Sequence, residues 1–225
     1  MVGFNPLDKV NLGRSVAEAM LESEAHPLRG LRRFNGAGLY ALYYSGPFAA
    51  YAAIAVRNRE GRFESPIYAG KAVSPGARKG NFGLDPGAGP YLHSRLMEHA
   101  ESIRLAANLN IDDFHCRYLV VDDIWIPLGE ALLIAKFSPI WNRLIDGFGN
   151  HDPGGGRYNG ARPRWDTLHP GRAWAMRCQT RLETAGQIAQ EIEAHLRSGA
   201  SPQSMFADSD NGSNGITPSA EEMGL

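Results

Sequence analysis

The chain has little of what marks secreted, membrane-spanning or metal-cluster proteins. Its only two cysteines, Cys116 and Cys178, are isolated and lack metal-ligand spacing, so two reduced thiols are expected rather than a disulfide framework or a zinc cluster. No apolar run approaches the length of a membrane span, and Met1 to Val10 lack the apolar centre of a signal peptide. The expectation is a cytoplasmic protein with no membrane partner. Internal repeats are absent. Bases are missing from one end: no Lys or Arg follows Arg197, whereas Asp208, Asp210, Glu221 and Glu222 do. With 23 basic and 24 acidic residues in all, the net charge of −1 hides a body up to residue 200 with all 23 bases and 20 acids, or +3. That balance permits binding to nucleic acid without demanding it.

What is present is ordinary for a globular protein: 225 residues, 43% hydrophobic and 21% charged, enough for one sizeable core with appendages. Residues 1–33 read as an N-terminal helical extension, with "GRSVAEAMLESEAHP" forming a helix from Arg14 to Ala25 that stops before Pro27. Residues 34–200 form the main domain, closed by an amphipathic helix with Ile188, Ile192 and Leu196 four apart. Residues 201–225 are polar, Gly/Ser-rich and acidic, the composition of a disordered tail.

Within the main domain, "GLYALYY" (Gly38–Tyr44) and "PIYAGKA" (Pro66–Ala72) read as strands, with an Ala-rich helical insert between them. A helix follows Pro90, which suits a first helical turn. "FHCRYLVVDD" alternates Phe114, Cys116, Tyr118 and Val120 on one face and gives a third strand. "GEALLIAKFSPIWN" (Gly129–Asn142) is a short helix closed by Pro139. The order β, β, α, β, α predicts an α+β unit: a small antiparallel or mixed three-stranded sheet flanked by helices, with loop insertions.

One residue of that last helix stands out. Leu133, Ile134 and Phe137 follow Glu130 at helical spacing, so Glu130 is expected to point with the apolar stripe. A buried carboxylate must be protonated, paired or bound to a cation. Arg95 and His99 lie one turn apart on the preceding helix and share a face. Alone they read as a structural Arg and a hydrogen-bonded core His. Tyr40 and Tyr68, alone, read as core tyrosines near glycines that leave room beside them. Lys71 is equally a phosphate contact or a solvated strand end. His151 beside Asp152 invites a metal site, but no third ligand follows at useful spacing. Together, however, a carboxylate, an Arg, a His and two tyrosines on one unit make a set suited to phosphodiester cleavage.

"GLYALYY" with "PIYAGKA", then "RLMEH" and "GEALLIAKFSPIWN", resembles the GIY-YIG nuclease superfamily, with Leu39 and Ala69 where the family name has isoleucines. Through "DGFGNHDPGGGR" and "HPGRAWA" the chain further resembles its type II restriction endonucleases cutting CCGCGG. The resemblance implies a bacterial homodimer that hydrolyses double-stranded DNA at a palindrome, with Mg²⁺ (or Mn²⁺) as cofactor and a cognate DNA methyltransferase in the same restriction-modification system. It implies that Glu130 ligates the metal and that Tyr40, its pKa lowered by His99 and the metal, is the general base or the phenol that positions the water. Arg95 would brace the phosphate, Tyr68 would hydrogen-bond the phosphate or the tyrosine network, and Asn142 would orient a phosphate oxygen or the helix ends, with Lys71 a candidate phosphate contact beside them. Arg78, Lys79, Arg157, Arg162 and Arg164, in two Gly-rich segments, are candidates for DNA contacts. The competing expectations are a homing or repair nuclease of the same superfamily and a catalytically silent binding module. An apolar strip on the N-terminal helix, Val16, Met20 and Leu21, is a candidate dimer surface.

Overall fold

Gly38–Tyr44 carries no charged residue, and in the computed structural model, which describes residues 8–74, 89–154 and 158–198, all seven of its residues are buried. A strand covered on both faces needs apolar side chains at every position, and that is the sequence it has. Helix α1 (Lys9–Glu22) precedes strand β1 (His26–Pro27); β2 (Gly38–Tyr44) and helix α2 (Ala52–Asn58) follow. Next come β3 (Pro66–Ala72), α3 (Tyr91–Leu105), β4 (Phe114–Val120), α4 (Ile126–Phe137) and α5 (Ile140–Arg143). Two more helices, α6 (Arg164–Leu168) and α7 (Ala185–Arg197), complete the described order.

The strands form one antiparallel sheet in the order β1-β4-β2-β3. This is the expected α+β architecture with one strand more than the three predicted. The addition, β1, pairs His26 with Cys116 and Pro27 with His115. Two residues have no periodicity to read, and a proline is tolerated on an outer edge. Helix α1 also runs earlier than expected, ending at Glu22 rather than Ala25. Among the described residues no helix is long and apolar enough to cross a membrane.

Strand alternation divides the core in two. Leu39, Ala41 and Tyr43 face α1 and α4 together with Met20, Ile126 and Leu133. Tyr40, Leu42 and Tyr44 face the other way, into a larger core with α3, α5, α6 and α7. On the first face α4 lies close to β2: a Cβ at Gly129 would stand 2.3 Å from Leu39 Cδ1 and 2.9 Å from Val16 Cγ1. The strip on α1 is consequently covered by its own domain, with Ala17 and Met20 buried and Val16 and Leu21 half-buried. It is not an open dimer surface, which corrects that expectation.

Helix α4 ends where Ser138 turns left-handed (φ 41°) ahead of Pro139. α7 starts on a capping box between Thr184 and Gln187. Between the sheet and α6 lies a buried polar chain: Trp141 Nε1 donates to Tyr51 Oη at 2.9 Å, Tyr51 Oη and His169 Nε2 are 2.5 Å apart, and His169 Nδ1 meets Asn108 Oδ1 at 2.8 Å.

Candidate active site

The register of β2 against β3 sets Tyr40 opposite Gly70 and Leu42 opposite Tyr68, so both tyrosines lie on the larger-core face. Glycine is required at 70, because a Cβ there would come within 2.5 Å of the Tyr40 hydroxyl. One helical turn of α3 brings His99 onto that hydroxyl: Tyr40 Oη and His99 Nε2 are 2.6 Å apart, and both residues are 1% exposed. Tyr68 packs edge-on to His99 with ring centroids 5.2 Å apart.

This pocket is dry, and dryness decides the charge states. Burial raises the Tyr40 pKa well above 10, with Tyr68 adding to the rise and Arg95 opposing it. Burial likewise drives the His99 pKa well below 6.5, helped by its neighbours Arg95, His151 and Arg172. Within the protein alone desolvation outweighs the cationic neighbour, so the expected lowering of the Tyr40 pKa has to come from a bound metal. Two neutral groups at 2.6 Å share one hydrogen bond, and the His99 tautomer sets which of them donates.

The edge of the site is charged. Arg95 is 23% exposed; Nη1 meets Glu98 Oε2 at 2.7 Å and His151 Nε2 at 2.7 Å, and Nη2 donates to the Gly149 carbonyl at 2.9 Å. Lys71 points to the opposite face from Tyr40, where its Nζ lies 2.7 Å from Glu130 Oε2. Glu130 is 22% exposed, so it is not sealed in the stripe as expected, and of the three states open to such a carboxylate it takes the paired one. The buried face of α4 runs through Ile126, Gly129, Leu132 and Leu133, and Glu130 borders it. Its negative charge still reaches Tyr68, whose pKa is raised by burial first, with Arg95 opposing and Glu130 adding.

Asn142 binds the backbone of β3. Its Oδ1 accepts from Ala69 N and its Nδ2 donates to Ala69 O, both at 2.8 Å. β3 is the outer strand, and Asn142 satisfies the free backbone pair between Tyr68 and Gly70 as a neighbouring strand would. Among the DNA-contact candidates, Arg78, Lys79 and Arg157 lie outside the described residues. Arg162 is half-buried and donates from Nε to the Ala175 carbonyl at 3.0 Å. Arg164 is 14% exposed, forked onto Glu183 and bound to Glu191 and the Leu144 carbonyl, so its role is to tie α6 to α7.

His151 is the residue whose place the sequence hid. Asp152 beside it turns instead to Tyr158 Oη (2.7 Å), Gly154 N (2.9 Å) and Arg177 (2.9 Å). No group of three His, Cys, Asp or Glu able to cage a metal occurs among the described residues.

The family model of the Eco29kI GIY-YIG domain matches residues 32–196. The chain belongs to this family. The match spans both tyrosine strands, α3, α4 and the turns after α5, and it makes the chain a nuclease of restriction type that acts on DNA. No curated protein matches it.

Proposed function

We propose that this family member is a type II restriction endonuclease that hydrolyses both strands of a palindromic, G/C-rich site, CCGCGG. The observation that carries the reading is the dry Tyr40–His99 pair, 2.6 Å apart, with Arg95 at its rim and an accessible carboxylate, Glu130, on the other face of the same strands. Phosphodiester hydrolysis needs a proton acceptor for the attacking water and positive charge around the phosphorus. A phenol with a raised pKa is a poor resting base. It becomes one if its own proton moves to His99 Nε2 as its oxygen takes the proton of the attacking water. The developing phosphorane charge favours the imidazolium this creates; the leaving alkoxide takes a proton from solvent water, and the imidazolium returns its proton to the hydroxide so formed. Arg95, at the rim, braces the phosphate with its planar fork. Tyr68 completes the wall beside it, and Asn142 keeps β3 straight beneath both tyrosines.

A divalent cation fits the charged side. Glu130 is a single accessible carboxylate, and the Lys71 ammonium at 2.7 Å marks a position that already attracts positive charge. Mg²⁺, or Mn²⁺ in its place, suits a site with one protein carboxylate and other positions left to water and phosphate. When bound it would supply Lewis-acid stabilisation of the phosphate. Two strands and a two-fold site call for a homodimer, one site per strand. A cognate cytosine methyltransferase would protect the host's own DNA in a bacterial cytoplasm.

Digestion of unmethylated plasmid DNA with Mg²⁺, followed by end sequencing, tests the reading. Discrete double-strand ends within CCGCGG are expected. Random nicks, or no cleavage of a plasmid carrying that site, would reject it.

A further inference from the structure

Two stretches lie past the nuclease core and have no part in the chemistry above: residues 146–154 and residues 169–175. Arg172 joins them. It is 3% exposed, with its guanidinium against the rings of Trp165 and Trp174 at 4.6 and 4.8 Å. Nε and Nη2 fork onto Asp166 Oδ1 and Oδ2 at 2.7 and 2.6 Å. Nη1 donates to the carbonyls of Phe148 (3.0 Å) and Asn150 (3.1 Å), and the second Nη2 proton goes to the Gly147 carbonyl at 2.8 Å. All five guanidinium protons are thus committed, and three of them go to carbonyls of a single turn.

That turn is the outer wall of the active site. The Phe148 ring stacks on His99 at 4.5 Å and 15° and meets Tyr68 edge-on at 5.0 Å. The Gly149 carbonyl holds Arg95 Nη2 at 2.9 Å, and His151 follows on Arg95 Nη1 at 2.7 Å. A buried ion pair by itself is weak evidence of stabilisation, since a well-packed apolar pair serves as well. An apolar pair could not hold three carbonyls in fixed directions. Only a planar five-donor group can do so, and lysine, with three rotating donors, cannot.

We propose that Arg172, with Asp166 as its counter-ion, is a positioning residue. It locks the turn at 147–150 so that Phe148 fixes the His99 ring and Gly149 fixes the Arg95 fork. The inference rests on the reading that Arg95 and His99 take part in cleavage, but the contact itself can be tested without it. Arg172→Lys keeps the charge and removes the fork; Asp166→Asn keeps the shape and weakens the anchor.

Each variant is measured three ways below its melting temperature: single-turnover cleavage at saturating DNA, DNA affinity without metal, and the NMR signals of the His99 imidazole. Cleavage by Arg172→Lys should fall about 100-fold, the scale of a small misplacement, with DNA affinity held within about threefold. The His99 signals should move because the ring stacked on them shifts. If Arg172→Lys does not fold, Asp166→Asn carries the same three measurements. Folded variants that cut within about threefold of the parent and leave the His99 signals unmoved would overturn the proposal. If the parent itself cuts no DNA, the functional reading fails instead, and the His99 signals alone still decide the role of Arg172.

Discussion

The Tyr40–His99 pair and the Lys71–Glu130 pair lie on opposite faces of the same two strands, and their environments are opposites. The first is dry, neutral and 1% exposed; the second is ionic, with Lys71 36% and Glu130 22% exposed. A proton relay gains from desolvation, because a short bond between neutral groups is strongest where water cannot compete. A cation and a phosphate must enter from solvent, so their carboxylate has to stay accessible. The edge strand β3 lets one strand serve both needs, with Gly70 giving room to the dry side and Lys71 guarding the wet one. Changes on the wet side should therefore alter cleavage with little effect on stability. Changes on the dry side should alter both.

Glu130→Gln is expected to have the largest effect. Cleavage should fall more than about 1,000-fold, a barrier change of about 4 kcal/mol, while the melting temperature and DNA binding hold. Calorimetry should show Mg²⁺ uptake lost at the site. Cleavage within about tenfold of the parent, near 1.4 kcal/mol, would remove Glu130 as the cation's carboxylate.

Tyr40→Phe tests the dry side. The hydroxyl handles the proton, so cleavage should drop about 10²- to 10⁴-fold. Unlike Glu130→Gln, it should also destabilise the protein by about 1–3 kcal/mol, because His99 Nε2 loses its partner in a buried site. Tyr68→Phe should cost less in cleavage. Small, equal effects from the two would mean that both tyrosines only pack. Gly70→Ala removes no reacting group yet pushes a methyl onto the Tyr40 hydroxyl, so a loss of about 100-fold is expected from displacement alone.

Acidification should separate the two sides through stability. Burial holds His99 well below 6.5 and pushes His169 down to about 3. Unfolded histidines take up protons near pH 6.5, so below that pH the unfolded chain binds protons that the folded chain refuses. Stability is full above about pH 6.5 and declines as pH falls toward the folded values. Thermal melts across this window should show the decline, and His169→Gln should flatten it. A melting temperature unchanged down to about pH 4 would contradict neutral, buried imidazoles.

The sequence carried the three longer strands and the two helices of the candidate site, since alternation and helical spacing are local signals. It carried their surroundings poorly. A wheel centred on Glu130 set it with Leu133, Ile134 and Phe137, but the contact surface of α4 is rotated toward Ile126 and Gly129, which only the packing of α1 and β2 determines. The direction of the Tyr40 pKa depended on how completely α3 and Phe148 exclude water. The bond from Asn142 to Ala69 was not legible, because nothing local shows that β3 is an edge. His151 and Arg172 meet Arg95 and its turn through long-range folding, and no spacing in the chain announces either.

The smallest expected effect is the most discriminating for the wet side. Lys71 and Glu130 form a partly exposed ion pair, which contributes about 0–1 kcal/mol to stability, so Lys71→Met should scarcely move the melting temperature. Its effect on the cation has a definite sign. An ammonium 2.7 Å from Glu130 Oε2 neutralises the carboxylate and repels a second positive charge. Removing it should leave Mg²⁺ affinity equal or raise it by about tenfold, a change near 1.4 kcal/mol. Cleavage should fall by about tenfold at saturating Mg²⁺ if the ammonium also meets the phosphate once the cation holds the carboxylate. Mg²⁺ titration by calorimetry, paired with single-turnover cleavage, separates the two contributions. Weaker Mg²⁺ binding in Lys71→Met would mean that the lysine positions Glu130 rather than competing for it, and that the wet side is as preorganised as the dry one.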